Sequence, residues 1–302
     1  MKRTIFRVLA IALGCMAFPG MLFGKSPSSV TISSSLNPST YGSSVTLTAM
    51  VTPLAATGTI TFKDGNTTLG TGTISGGVAT FSNSKLAQGS HYLTAVYGGS
   101  AKYNGSTSLL LIQVVNKANT TVTLASSANP STYSSSVKFT ATVTPTTATG
   151  TVTFMEGTAT LGTGTISAGK ATFSISTLAV GSNSITASYG GDTNNNSSTS
   201  SVLTQTVNKT NTTVTLASSA NPSTFGTPVT FTATVTSPTT TPTGTVKFMD
   251  GSTELGTGTL KKGKATYSTS TLSEGSHNIT AVYEGTVDVI GSTSPVLVQT
   301  VN

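Results

Sequence analysis

Residues 37–52 read Asn37-Pro38-Ser39-Thr40-Tyr41-Gly42-Ser43-Ser44-Val45-Thr46-Leu47-Thr48-Ala49-Met50-Val51-Thr52. A turn-forming Asn-Pro pair is followed by strict alternation. Val45, Leu47, Ala49 and Val51 point one way, and Thr46, Thr48 and Met50 the other, which is the period of a half-buried strand. The same stretch returns with Asn129-Pro130-Ser131-Thr132 and Asn221-Pro222-Ser223-Thr224, a step of 92 residues each time. Its strands return as Val137, Phe139, Ala141, Val143 and as Val229, Phe231, Ala233, Val235. Leu69-Gly70-Thr71-Gly72-Thr73 recurs from Leu161 and Leu255, at steps of 92 and 94, so copy three carries two extra residues, which we place in the Thr/Pro-rich stretch 237–243. Each copy closes on Gln-x-Val-Asn, at Asn116, Asn208 and Asn302. Repetition at a fixed period is the primary organising signal of a chain. Here it predicts domains at 26–116, 117–208 and 209–302.

Within copy one, further alternating pairs fall at Val30/Ile32, Ile60/Phe62, Ala79/Phe81 and Leu93/Ala95/Tyr97. Turn signals separate them at Asp64-Gly65, Gly76-Gly77, Gly89-Ser90 and Gly98-Gly99. The last strand, Thr107 to Val115, lacks clean parity, as a bulge would produce. Seven or eight short strands and no helical period predict an all-β chain of three antiparallel sandwiches. The joints 116–119 and 208–211 contain neither Gly nor Pro. Such short joints predict an extended rod of roughly 100 Å, from strands of about eight residues plus their turns.

Composition agrees. Of 302 residues, 8% are charged and 6% aromatic, with no Trp, and Ser plus Thr make up roughly a third. Disordered chains of low hydrophobicity carry high charge and few β-branched residues, whereas Val and Thr abound here. The shared motifs are Asn-Pro-Ser-Thr, Gly-Thr-[Val/Ile]-x-Phe-x-[Asp/Glu]-Gly from Gly58, Gly150 and Gly244, Leu-Gly-Thr-Gly, and Leu-x-x-Gly-x-x-x-[Leu/Ile]-Thr-Ala-x-Tyr ending at Tyr97, Tyr189 and Tyr283. In these the chain resembles the bacterial immunoglobulin-like repeats of the group 3 type. That resemblance implies β-sandwich modules of secreted and surface proteins. Of the family's frequent Tyr-x-Gly-Asp, only copy two keeps the acid, Asp192, where copies one and three have Ser100 and Thr286. An ion site depending on it would exist in one copy at most. No copy has the cysteine pair or tryptophan of antibody domains, so aliphatic and Phe/Tyr packing must hold each core, at ~1.5–3 kcal/mol per buried side chain.

The N-terminus places Lys2, Arg3 and Arg7 before an apolar run from Val8 to Phe23, the layout of a signal peptide over residues 1–24. An uncleaved anchor and lipidation of Cys15 are the alternatives. Cleavage after Gly24 would leave no cysteine, no arginine, and twelve lysines against eight acids, a charge of +4. Without clustered Arg and stacking aromatics, no nucleic-acid partner is expected. Lys261, Lys262 and Lys264, around Gly263, form one cluster on a predicted hairpin turn.

Little catalytic chemistry can be assembled. Asp64, Glu156 and Asp250 are equivalent positions in different copies and read as turn residues, since acid/base pairs must sit within ångströms of one reacting atom. His91 and His277 are likewise equivalent, with Asn183 between them, so each copy offers one histidine at most and a metal needs several converging ligands. The Leu-Gly-Thr-Gly-Thr runs lack the lysine and helix of a phosphate loop. Glu274, Glu284 and Asp288 are the densest acids and could make a weak calcium site. No catalytic, cofactor or metal residue is therefore assigned. The chain is expected to be a non-enzymatic, monomeric spacer exported to the surface or medium. A second expectation is adhesion to surface proteins or extracellular glycans, for which Tyr103 is the loop aromatic available for sugar stacking.

Overall fold

The computed structural model describes residues 24–302, and among them there is no helix. The leader and Cys15 lie outside the described residues. Two compact units divide at Asn116 and Lys117.

In the first unit the strands are β1 (Ser29–Ser34), β2 (Ser39–Thr40), β3 (Val45–Thr52), β4 (Thr59–Asp64), β5 (Thr67–Thr73), β6 (Val78–Asn83), β7 (Gly89–Tyr97), β8 (Ser106–Thr107) and β9 (Leu111–Asn116). One sheet has the order β1-β3-β6; the other runs β2-β9-β7-β4-β5, with β8 on β7. Parity decides which side chains enter the space between them. Val45, Leu47, Ala49 and Val51 are buried and Met50 is 52% exposed, as alternation predicts. They meet Ile60, Phe62, Leu93, Ala95 and Tyr97 of the facing sheet. Between these strands all pairing is antiparallel except one short parallel pair, Ser39 with Val115 and Thr40 with Asn116; outside them Ser26 makes a parallel bridge to Tyr103. The chain leaves β1, turns at Asn37-Pro38 and enters the opposite sheet still heading the same way. It therefore meets the final strand in parallel.

Two recurrent motifs meet at this crossing. Asn37 Nδ2 donates to the Ile112 carbonyl (2.7 Å) and its Oδ1 accepts from the Val114 N–H (3.0 Å), a side chain standing in for strand backbone. Gln113 is fully buried. Its Oε1 accepts from Ser34 Oγ (2.6 Å), and its Nε2 donates to the Leu36 and Val114 carbonyls and to Ser39 Oγ. The Asn-Pro-Ser-Thr turn and the closing Gln thus form one lock, repeated around Gln205 and Gln299.

The segment read as a single last strand is two, β8 and β9. Between them Ser108 donates its N–H to the Ala95 carbonyl and offers Oγ, in place of a carbonyl, to the Ala95 N–H (3.0 Å). Ser200 and Ser294 do the same at Ala187 and Ala281. This interruption explains the lost parity. Another register shift, at Phe62/Lys63, lies in the β4–β5 hairpin.

The second unit contains two sandwiches of the same topology, with cores around Phe139, Phe154 and Tyr189 and around Phe231, Phe248 and Tyr283. In the last, the two-residue strand after the Asn-Pro turn is reduced to a single parallel bridge, Ser223 with Val301. The joints are tighter than their four residues suggest. Ala118 pairs with the loop at Asn194–Asn196, and Thr210 with that at Asp288–Ile290. Lys117 and Lys209 donate Nζ to the Asp192 and Thr286 carbonyls. Most of each joint is thereby folded into the downstream sandwich.

Candidate functional site

The β4–β5 turn and the start of β7 bring together two residues that the sequence treats separately. His91 Nδ1 lies 2.7 Å from Asp64 Oδ2 and its Nε2 2.8 Å from the Ala87 carbonyl, while Asp64 Oδ1 accepts from the Tyr92 N–H. In copy three, His277 bonds Asp250 (2.6 Å) and the Ser273 carbonyl (2.8 Å), and Asp250 accepts from the Asn278 N–H. Burial opposes charge on His91, but the Ala87 carbonyl and Asp64 outweigh it, and its pKa is raised. His277 is raised mainly by Asp250, then by the Ser273 carbonyl, against burial. Copy two substitutes Asn183, whose Nδ2 donates to the Ala179 carbonyl (3.0 Å). The co-occurrence of His with Asp in copies one and three, and of Asn with Glu156 in copy two, was the available signal in the sequence.

Ser273 Oγ lies 3.5 Å from His277 Nε2, which gives a Ser-His-Asp alignment. A general base needs a free lone pair on the nitrogen facing the nucleophile. Here that nitrogen faces the Ser273 carbonyl at 2.8 Å, a contact that is a hydrogen bond only with the proton on Nε2, which leaves no lone pair there for the hydroxyl. The arrangement clamps a loop to a hairpin; it does not activate a hydroxyl.

Asp192 is similarly enclosed. It accepts from the Thr149 N–H and Oγ1, the Asn194 and Asn195 N–H groups, and Asn195 Nδ2. Burial raises its pKa, but these donors win and hold the carboxyl far below the usual range. Ser100 and Thr286 take the same loop position, the Ser100 hydroxyl accepting from the Lys102 and Tyr103 N–H groups and the Thr286 hydroxyl from the Asp288 N–H. The Tyr189 hydroxyl is buried beside Asp192 and makes no hydrogen bond of good geometry, whereas Tyr97 and Tyr283 donate to the Thr57 and Thr243 carbonyls. Burial, with the nearby Asp192 carboxylate, pushes Tyr189 up to about 12.

Of the remaining acid candidates, Glu274 stays apart from Glu284. Glu274 precedes, and Glu284 lies near the far end of, the strand Gly275–Gly285, about 30 Å from it by strand rise. Glu284 pairs with Lys247 (2.6 Å). Among the described residues no cluster of three or more His, Cys, Asp or Glu could hold a metal. The Leu-Gly-Thr-Gly run is strand β5, where a Cβ on Gly70 would lie 2.2 Å from the Phe81 ring. Tyr103 is half-buried against the core, whereas among the described residues Tyr92 (51% exposed) and Phe225 (57%) are the outward aromatics, both missed in the sequence. Lys261, Lys262 and Lys264 stand on a tight hairpin with no acid partner among the described residues.

Fold and site together define a tandem immunoglobulin-like repeat protein whose recurrent polar residues serve the fold. The model for the bacterial Ig-like domain (group 3) matches residues 32–116, 123–208 and 215–302, and the chain belongs to this family. No curated protein matches it. Among solved structures it is similar to the Escherichia coli adhesin FdeC, at 15% identity over 93% of this chain and all of that one, TM-score 0.32. A putative membrane-anchored protein of Corynebacterium diphtheriae matches at 12% identity over 90% and 91%, TM-score 0.29. The fibronectin(III)-like modules of Clostridium thermocellum CbhA match at 18% over 59% and 94%, TM-score 0.25. Likenesses this remote carry no assignment of function.

Proposed function

We propose that the chain is an exported, non-enzymatic spacer that holds its modules at the bacterial surface or in the medium. One observation carries this reading: the polar residues repeated in every copy, Asn37, Ser108, Gln113 and their counterparts, are spent on holding the sandwich together. A module whose invariant chemistry is structural serves by its length and its surface. The joints support the same role, because residues tied to the downstream sandwich make a short link rather than a flexible coil. The leader-like N-terminus supports export. Fractionating the producing cells and their medium, with mass spectrometry of the N-terminus, tests it. The expected species begins near Lys25 outside the cytoplasm; an intact Met1 form confined to the cytosol would refute export.

Adhesion to extracellular glycans is the second reading. It is favoured by the outward Tyr92 and Phe225 and by a basic hairpin that only copy three carries.

A further inference from the structure

We infer that the Lys261–Lys264 hairpin of copy three, with the cleft beside it, is a binding site for an anionic carbohydrate bearing sulfate or phosphate esters. This deepens the glycan-binding reading and rests on it, but not on export. The hairpin is a two-residue turn: Lys261 N–H bonds the Lys264 carbonyl (2.8 Å) and Lys264 N–H the Lys261 carbonyl (3.1 Å). Lys262 and Gly263 occupy its corners at φ +51° and +78°. Copy one builds the same turn from Ser75-Gly76-Gly77-Val78, and copy two from Ser167-Ala168-Gly169-Lys170. Two choices in copy three therefore work against local stability. Lys261 and Lys264 face each other across a bridged pair, where like charges repel. Lys262 adopts a left-handed conformation that copy one gives to Gly76 and copy two to Ala168, so copy three puts a long charged side chain where the other copies have none or a methyl. Among the described residues, the ion pairs are His91–Asp64, Lys247–Glu284 and His277–Asp250, so none compensates these three ammonium groups. A local rule broken without structural compensation points to function.

The two-residue insertion supplies a second, independent feature. The loop 237–243 that contains it forms a cleft of about 210 Å³ against the hairpin, lined by Thr236, Ser237, Thr240, Thr241 and Lys262. No side-chain hydrogen bond engages the Thr240 or Thr241 hydroxyl among the described residues, so both remain available to a ligand. Ammonium and hydroxyl donors side by side suit an ester-linked sulfate or phosphate with its neighbouring sugar hydroxyls. Nucleic acid fits less well, because no aromatic side chain lines the cleft to stack on a base and both arginines lie in the leader.

The test measures binding of the purified chain to dextran sulfate and dextran phosphate, with neutral dextran and a DNA duplex in parallel. The charged dextrans, one or both according to the ester recognised, should bind and neutral dextran should not. Lys261→Gln/Lys262→Gln/Lys264→Gln should weaken binding at least about tenfold. Lys63→Gln/Lys85→Gln/Lys102→Gln, which removes equal charge from copy one, should change it less than about twofold. Lys262→Gly restores the residue of copy one and relieves the turn, so loss of fold cannot mimic its effect; at least about threefold weakening is expected. Equal losses in the two triple variants, or DNA binding as tight as the charged dextrans, would reduce the effect to net charge and overturn the site. Because the measurement uses purified protein, its outcome is separate from that of the fractionation, and absence of dextran binding would sink the glycan reading itself.

Discussion

At the scale of single residues, the pairing of His91 with Asp64 shows how a turn acid and a strand-end histidine become one device. Each ring nitrogen has an acceptor, so the imidazolium fits better than neutral imidazole. Both histidines have folded pKa values raised above the ordinary 6.5. A raised value means the folded state holds its proton more tightly than the unfolded chain does. The stabilisation is complete below the unfolded value and is lost as pH rises through the folded one. The wild-type melting temperature should thus fall as pH rises above the ordinary 6.5 and through the raised folded values, and His91→Asn/His277→Asn should flatten that slope. Thermal unfolding across pH checks this; histidine midpoints at or below 6.5 by NMR would contradict it. The sequence offered the two partners at matching positions in copies one and three. Their contact was not legible, because 27 residues separate them and only the β4–β7 register closes the gap.

At the scale of elements, the Leu-Gly-Thr-Gly strand and the strand after it set how closely the two sheets approach. In copy two a Cβ on Gly162 would fall 2.2 Å from Phe173 Cε2, and one on Gly164 would lie 2.6 Å from the Thr172 carbonyl oxygen. The Phe173 ring covers Gly162 and stacks on Phe154 with centroids 5.6 Å apart. Gly162→Ala should therefore destabilise by about 1–3 kcal/mol, the cost of overpacking. Phe173→Leu, a smaller side chain, should recover part of this in the double variant. Gly157→Ala is the contrast, since open space surrounds that position and only its φ of +57° resists. Denaturant titration of the variants would measure the difference; equal losses at both sites would remove the packing argument. Strand existence and parity were legible here. The reason for the glycines was not, because it lies in a ring on the opposing sheet.

At the scale of the molecule, the first unit contains its own core and both of its sheets. Residues 24–116 should consequently fold alone, with one cooperative unfolding transition. Ending the fragment at Leu110 should abolish it. That truncation removes β9, and with it the buried Gln113 that locks Leu36 and Ser39 and the buried Val115. Circular dichroism and proteolysis of the two fragments would decide. A folded 24–110 fragment would show that the lock is dispensable.

Composition, alternation and the 92-residue step by themselves determined an all-β chain with one sandwich written three times, because strand parity and turn chemistry are local properties. Tertiary structure alone decided the parallel β2–β9 pair, the serine that interrupts the last strand, the histidine clamps and the cleft beside the basic hairpin. Each of these depends on which distant strands become neighbours. That is set by how two sheets bury their apolar faces against one another, a global condition that no short stretch of residues encodes.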